Sequence, residues 1–175
     1  MRIRDHLAQS GEPSFRFAQL ITAWKGSTAE TFADVHALPL RLHPLRVLDR
    51  QRDEQVEKVL FASESGARIE TVVSHYRDGW DSMCISSQAG CGLGCTFCAT
   101  GAVGLIRNLS ADEMVAQVMH PWWTRAELPR PASVAFMGMG EALANPHLFD
   151  ALTLLTDSAY AGMSARRITV STVGF

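Results

Sequence analysis

The chain lacks any apolar run approaching roughly 18 residues, so no segment is expected to span a membrane as a helix. Its first residues, Met1-Arg-Ile-Arg-Asp-His6, carry none of the apolar stretch of a secretory signal, and a cytoplasmic protein is the expectation. Neither sign of charge dominates: 16 Lys and Arg face 18 Asp and Glu, for a net charge of −2. Composition therefore supplies no electrostatic argument for a nucleic-acid partner. Internal repeats and low-complexity segments are absent. Cysteine is scarce, and all four fall between Cys84 and Cys98. A disulfide scaffold spreads its cysteines to close long loops, so this crowding points to a metal site or thiol chemistry.

What is present suffices for a folded core. The 175 residues are 47% hydrophobic and 19% charged, which fits one ordinary domain or two small ones and argues against disorder. Residues 1–50 read as a small helical domain. Phe17, Leu20, Ile21 and Trp24 recur at i, i+3, i+4 and i+7 on one face, Lys25-Gly26-Ser27 stops that helix, and Thr28 caps the next. Pro39 and Pro44 punctuate a further short helix, and Asp49–Glu54 reads as an exposed linker. Residues 51–80 form a β-hairpin extension: Val56–Ala62 and Ala67–Tyr76 are rich in Val, Ile and Thr and flank the turn Ser63-Glu-Ser-Gly66.

Residues 81–175 alternate strand and helix. Met83–Ser86, Ser133–Met137 and Arg167–Val170 are expected strands. Ser110-Ala-Asp-Glu113 is a capping box opening a helix to about His120, and Asn145 and Pro146 suit N-cap and N1 of a helix to about Thr156. Such alternation gives an α/β fold with a parallel sheet or barrel. Three strands and two helices do not close a barrel, so the chain is expected to be the N-terminal part of something longer.

The chemistry concentrates in Cys91-Gly-Leu-Gly-Cys95-Thr-Phe-Cys98. Three thiolates in eight residues can ligate three irons of a [4Fe–4S] cluster and leave one iron open, while Gly92 and Gly94 let the loop curl. The alternative is a Cys₄ zinc site with Cys84 as fourth ligand. The six-residue gap from Cys84 to Cys91 and the absence of a second C-x₂-C argue against it.

The pattern C-x₃-C-x-aromatic-C resembles the radical S-adenosylmethionine (SAM) superfamily. Cys84-Ile-Ser-Ser-Gln-Ala-Gly-Cys91, Phe136-Met-Gly-Met-Gly-Glu-Ala-Leu-Ala-Asn145, Gly104-Leu-Ile-Arg-Asn-Leu109 and Arg166-Arg-Ile-Thr-Val-Ser-Thr172 narrow the match. Together they resemble the family that methylates an adenine of 23S rRNA at the peptidyl-transferase centre. Ala142, where the C2-specific rRNA/tRNA enzymes usually have Pro, tilts the likeness toward the Cfr-type C8 methyltransferases, with C2 chemistry the runner-up.

The resemblance implies an N-terminal part of a radical SAM partial (β/α) barrel and an enzyme whose product confers antibiotic resistance. It implies that Cys91, Cys95 and Cys98 hold a [4Fe–4S] cluster whose fourth iron takes SAM. Phe97 would pack near the cofactor adenine, with a core aromatic as the alternative. Gly140 and Glu141 would hold the methionine end of SAM, and Ser171 would touch it from the next strand end. Cys84 would assist product release through proton removal and a transient disulfide, with a buried inert thiol as the alternative. Glu70 matches a proposed proton acceptor, the alternative being an exposed strand carboxylate. Partners implied are 23S rRNA, engaged by the N-terminal helices and hairpin, and an electron donor such as flavodoxin or ferredoxin. The family mechanism also needs a methyl-carrying cysteine, and all four here already have roles. A catalytically silent RNA- or cluster-binding fragment is thus the rival reading.

Outside these motifs, Trp122-Trp123 in a loop, His120 and His147 at helix ends, and Arg166-Arg167 read as surface or satisfied groups.

Overall fold

The computed structural model describes residues 7, 11, 13, 15–26, 43–124 and 131–174. The expected cap at Thr28 and the short helix at Pro39 lie outside them. Helix α1 (Phe15–Gly26) ends at the expected glycine, and its Leu20 and Ile21 are buried. Phe17 of α1 meets the buried Tyr160 with ring centroids 5.5 Å apart.

Six strands form one sheet. They are β1 (Leu45–Arg52), β2 (Val56–Ser63), β3 (Arg68–His75), β4 (Asp81–Ile85), β7 (Ser133–Phe136) and β8 (Ile168–Val170), hydrogen-bonded in the order β1-β2-β3-β4-β7-β8. A two-stranded ribbon pairs β5 (Gln88–Gly90) with β6 (Leu105–Asn108). The large sheet is mixed. β1 through β4 pair antiparallel, and only β4, β7 and β8 run parallel. The expectation of a parallel sheet holds for that half alone.

The linker expected at Asp49–Glu54 is corrected. Most of it belongs to β1, which pairs with β2 through Arg50↔Val59 and Arg52↔Glu57 after an irregularity at Val47/Asp49. Charged residues suit this position because β1 is a sheet edge, where they discourage further pairing. Arg50 is anchored by Glu57 at 3.0 Å and by His120 Nε2 at 2.9 Å.

Alternation along the strands defines two faces. Val59, Phe61, Ile69, Val73, Met83, Ile85, Val134 and Phe136 are buried against the helical layer. Full burial of each such side chain contributes about 1.5–3 kcal/mol. Lys58, Leu60, Glu70, Val72, Cys84 and Ala135 lie on the other face, which is half-exposed.

Helix α3 (Ala111–Thr124) packs on β4, β1, α1 and α4 (Leu148–Thr156). It buries Met114, Val115, Ala116, Val118 and Met119 on nearly all sides. Its capping box forms as expected: Ser110 N–H donates to Glu113 Oε2 at 2.9 Å, and Glu113 N–H donates to Ser110 Oγ at 3.2 Å. The helix continues past His120, so the backbone of Trp122-Trp123 is helical and not a loop. His120 lies inside it, buried, with its ring edge-on to Phe61 at 4.8 Å. α4 begins at Leu148 with His147 as N-cap, two residues later than Asn145 and Pro146 implied.

Glu113 is also gripped by the Arg107 guanidinium at 2.8 and 2.6 Å, and Arg107 Nε donates to Ser65 Oγ at 2.9 Å. One arginine thereby ties β6, the β2–β3 turn and the start of α3. Burial works against the ionised form of Glu113, but the bonds from Arg107 and Ser110 outweigh it and hold the carboxyl below its ordinary value. A depressed carboxyl contributes stability that is present above the unfolded value, about 4.3, and is lost as pH falls through the folded one. Urea unfolding should therefore show stability falling below about pH 4.3, and Glu113→Gln should cost about 1–3 kcal/mol at pH 7 while flattening that acid slope. An unchanged slope in the variant would contradict this.

Candidate active site

Three loops issue from the C-terminal ends of the adjacent parallel strands. The cysteine loop follows β4 and β5, Met137–Glu141 follows β7, and Ser171–Val173 follows β8. In parallel α/β architectures this is the end where sites assemble.

The cysteine loop is closed at its base by Cys91 N–H donating to Gly104 O at 3.0 Å. Within it, Cys98 N–H donates to Cys95 O at 3.0 Å, and the short helix α2 (Ala99–Val103) follows Cys98 as its N-cap. All four cysteines are free and half-exposed. The amides of Gly101, then Thr100, lower the Cys98 thiol below its ordinary value, which favours the thiolate that ligates metals. Among the described residues no group of three His, Cys, Asp or Glu side chains is already gathered around one point. The donor set is nevertheless suited to a three-thiolate cluster, since the thiols share one loop and none is engaged in a disulfide.

Phe97 is 91% exposed beside these thiols, so the alternative of a core aromatic is corrected. Leu93, Val103, Leu105 and Ile106 are exposed on the same loop and its flanks. Cys84 stands apart, on the half-exposed face of β4 opposite Val72 of β3 and Ala135 of β7. Burial pushes its thiol up, partly offset by a hydrogen bond from the Met137 amide.

Glu70 projects from the same face. Its register places it diagonally from Cys84, a spacing of about 7–8 Å between Cα positions in antiparallel pairs. Its carboxylate pairs with Lys58 at 3.0 Å, both side chains being about two-fifths exposed (43% and 40%). The carboxylate is thus exposed, yet it lies on the face that carries Cys84.

The loop after β7 approaches β4 closely. Gly138 N–H donates to Ile85 O at 3.0 Å, Met139 N–H to Ser86 Oγ at 3.0 Å, and Ser87 N–H to Met139 O at 2.9 Å. Gly140 has φ +98°, and a Cβ there would lie 2.5 Å from Gln88 Cβ, so only glycine fits. Glu141 is buried. Its Oε1 accepts from Leu143 N–H and its Oε2 from Val173 N–H, each at 3.1 Å. Burial works against its charge, but the Thr172 hydroxyl and these two amides prevail, and the carboxyl sits below its ordinary value. Glu141 therefore ties the loop after β7 to the loop after β8. Ser171 has an exposed side chain and donates its N–H to Phe136 O at 3.3 Å.

Sequence reasoning gave no role to Gln117 or Gln88 beneath these loops, and gave Asn145 only a capping one. Gln117, fully buried in α3, accepts from Thr71 Oγ1 and Ser86 N–H at 2.8 Å each and donates to Ser86 O at 2.9 Å. Asn145 Nδ2 donates to Ser87 O at 2.6 Å and Leu109 O at 2.9 Å, while its Oδ1 accepts from His147 N–H. Gln88 does similar bridging at the base of the cysteine loop. The available signal was a glutamine inside an otherwise apolar helix face, Met114 to Met119.

No protein-family model matches the chain. Curated relatives do. It is 44% identical to the ribosomal RNA large subunit methyltransferase Cfr of Lachnoclostridium phytofermentans, over 93% of this chain and 50% of that protein. It is 43% identical to the Cfr of Shouchella clausii, over 99% of this chain and 52% of the relative. Among solved structures, a radical SAM methyltransferase from Sphaerobacter thermophilus superposes with a TM-score of 0.84 at 34% identity, over 99% of this chain and 55% of that one. The chain spans about half the length of the curated relatives it matches. Over nearly its whole length, this chain is a homologue of about half of a Cfr ribosomal RNA large subunit methyltransferase, and it has the corresponding part of a radical SAM methyltransferase fold.

Proposed function

We propose that the chain is the cluster- and SAM-binding part of a radical SAM methyltransferase. Its target is C8 of a 23S rRNA adenine at the peptidyl-transferase centre, in the cytoplasm, where methylation protects the ribosome from antibiotics. The observation that supports this most strongly is spatial. A loop with three free thiols and a glycine–glutamate loop leave the ends of neighbouring parallel strands, and Ser86–Gln88, which lead into the first, are hydrogen-bonded to Met139 and Glu141 of the second. Among the described residues no helix is long and apolar enough to cross a membrane.

In this reading Cys91, Cys95 and Cys98 hold a [4Fe–4S] cluster and leave one iron for SAM. When bound and reduced by a flavodoxin or ferredoxin, the cluster and SAM supply the one-electron chemistry that generates a carbon radical. The chain's own residues bind and orient. Backbone at Gly140 and the ionised Glu141 receive the methionine end of SAM, Ser171 borders it, and Phe97 offers an apolar wall to the adenine. Glu70 accepts a proton at its carboxylate, and the Cys84 thiol assists product release from the same sheet face. α1 and the β2–β3 hairpin engage the RNA. The methyl-carrying thiol is a further group beyond the four cysteines accounted for.

Nucleoside mass spectrometry tests this on 23S rRNA from cells expressing the complete reading frame, in a host lacking native methylation of that adenine. The expected product is 8-methyladenosine, lost with Cys95→Ala. Its 2-methyl isomer would replace the C8 assignment with C2, and an unmodified adenine would overturn the reading.

A further inference from the structure

We propose that Gln88 is a positioning residue that sets the distance between the cysteine loop and the Gly140–Glu141 loop, an inference that rests on the cofactor reading above. Gln88 is the first residue of β5, at the base of the cysteine loop, and its side chain is buried. Its Nε2 donates to Oδ1 of Asn108, its partner across the β5–β6 ribbon, at 2.7 Å. This closes the two arms that carry the thiols. Its Oε1 accepts from Glu141 N–H at 2.9 Å, and its own N–H donates to Met139 O at 3.1 Å. The stem of the same side chain fills the space that Gly140 leaves by having no Cβ.

One amide group thus latches both loops, and its oxygen and nitrogen each already hold a protein partner. Its effect is on spacing. SAM has to reach the open iron from the thiol loop while its methionine end rests on the glycine–glutamate loop, so a shift of one loop against the other misaligns it. Displacements of about 1 Å can cost on the order of a hundredfold in rate.

The first test needs no cofactor. In the metal-free protein, Gln88→Leu should speed amide hydrogen exchange at Glu141 by about tenfold or more, because that N–H loses its acceptor. Exchange in the middle of α3 should not change. In the reconstituted protein, Gln88→Leu should retain wild-type iron while SAM affinity falls by about tenfold. Gln88→Glu keeps an acceptor for Glu141, and Asn108 can turn its NH₂ toward the carboxylate. It should restore both the slow exchange and the SAM affinity, a rescue that a general packing role would not give. Should Gln88→Leu fail to fold, Asn108→Leu loosens the latch from the other arm and should weaken SAM binding likewise.

Unchanged exchange and SAM affinity in Gln88→Leu, or no rescue by Gln88→Glu, would overturn the latch. A wild-type chain that takes up iron but no SAM would instead count against the cofactor reading. The exchange result would still decide the latch.

Discussion

Gly90→Ala is expected to open the base of the cysteine loop and to abolish most iron uptake while leaving the sheet and α3 folded. Gly90 has φ +75°, and a Cβ there would run into the carbonyl oxygen of Gly104, the atom that accepts the loop-closing bond from Cys91 N–H. The obstacle is backbone, so no side-chain rotation relieves it. The left-handed conformation alone costs a non-glycine residue about 1–2 kcal/mol. Losing the closing bond adds about 1 kcal/mol. Gly92→Ala is the internal control, because the left-handed turn expected of Gly92 and Gly94 is made by Gly94 (φ +63°) and not by Gly92. Its Cβ would meet Leu105 Cβ at 3.6 Å, an ordinary contact, and its φ is not positive. A lowered Tm with lost iron in Gly90→Ala, beside near-wild-type behaviour in Gly92→Ala, is the expected pair. Full iron content in both variants would contradict the role given to this closure.

The second large effect separates the cysteines. Cys95→Ala should eliminate cluster assembly, because two thiolates remaining on the loop cannot hold three irons. Cys84→Ala should retain the cluster, because Cys84 lies within strand β4, accepts a hydrogen bond from the Met137 amide, and is not part of the loop that carries Cys91, Cys95 and Cys98. It should nevertheless stall product release. Equal iron loss in the two variants would place Cys84 among the ligands and revive a four-thiolate site.

These expectations draw on features legible in the chain at different depths. The capping box at Ser110–Glu113, the turn at Ser63–Gly66 and the strands feeding the three loops are local patterns, set by side-chain chemistry within a few residues. They appear where expected. β1 was not legible, because Asp49 opposes a strand by intrinsic preference and the charged run around it shows no apolar alternation, and pairing with β2 supplies what the local sequence does not. Asn145 Oδ1 makes a cap-like bond to His147 N–H although the helix proper starts at Leu148, and the task the sequence did not declare is that of its Nδ2, which holds the carbonyls of Ser87 and Leu109 far away in the chain.

Within the site, the thiols and the glycine–glutamate pair stood out by residue type and spacing. Phe97 shows the limit of such reading, since an aromatic in a loop does not declare whether it faces core or solvent. Gln88 and Gln117 show another, for their partners come from segments that only the fold brings near. Glu141 was read as a contact for the methionine end of SAM, and the fold adds a second task, tethering the ends of β7 and β8 through Val173.

The central claim is that the Cys91–Cys98 loop holds an iron–sulfur cluster with one iron open to SAM. Anaerobic reconstitution followed by iron and sulfide analysis, with EPR of the reduced protein before and after SAM addition, tests it most directly. About four irons and four sulfides per chain, with a spectrum that SAM perturbs, is the expected result. A single zinc per chain, or a cluster spectrum indifferent to SAM, would contradict it.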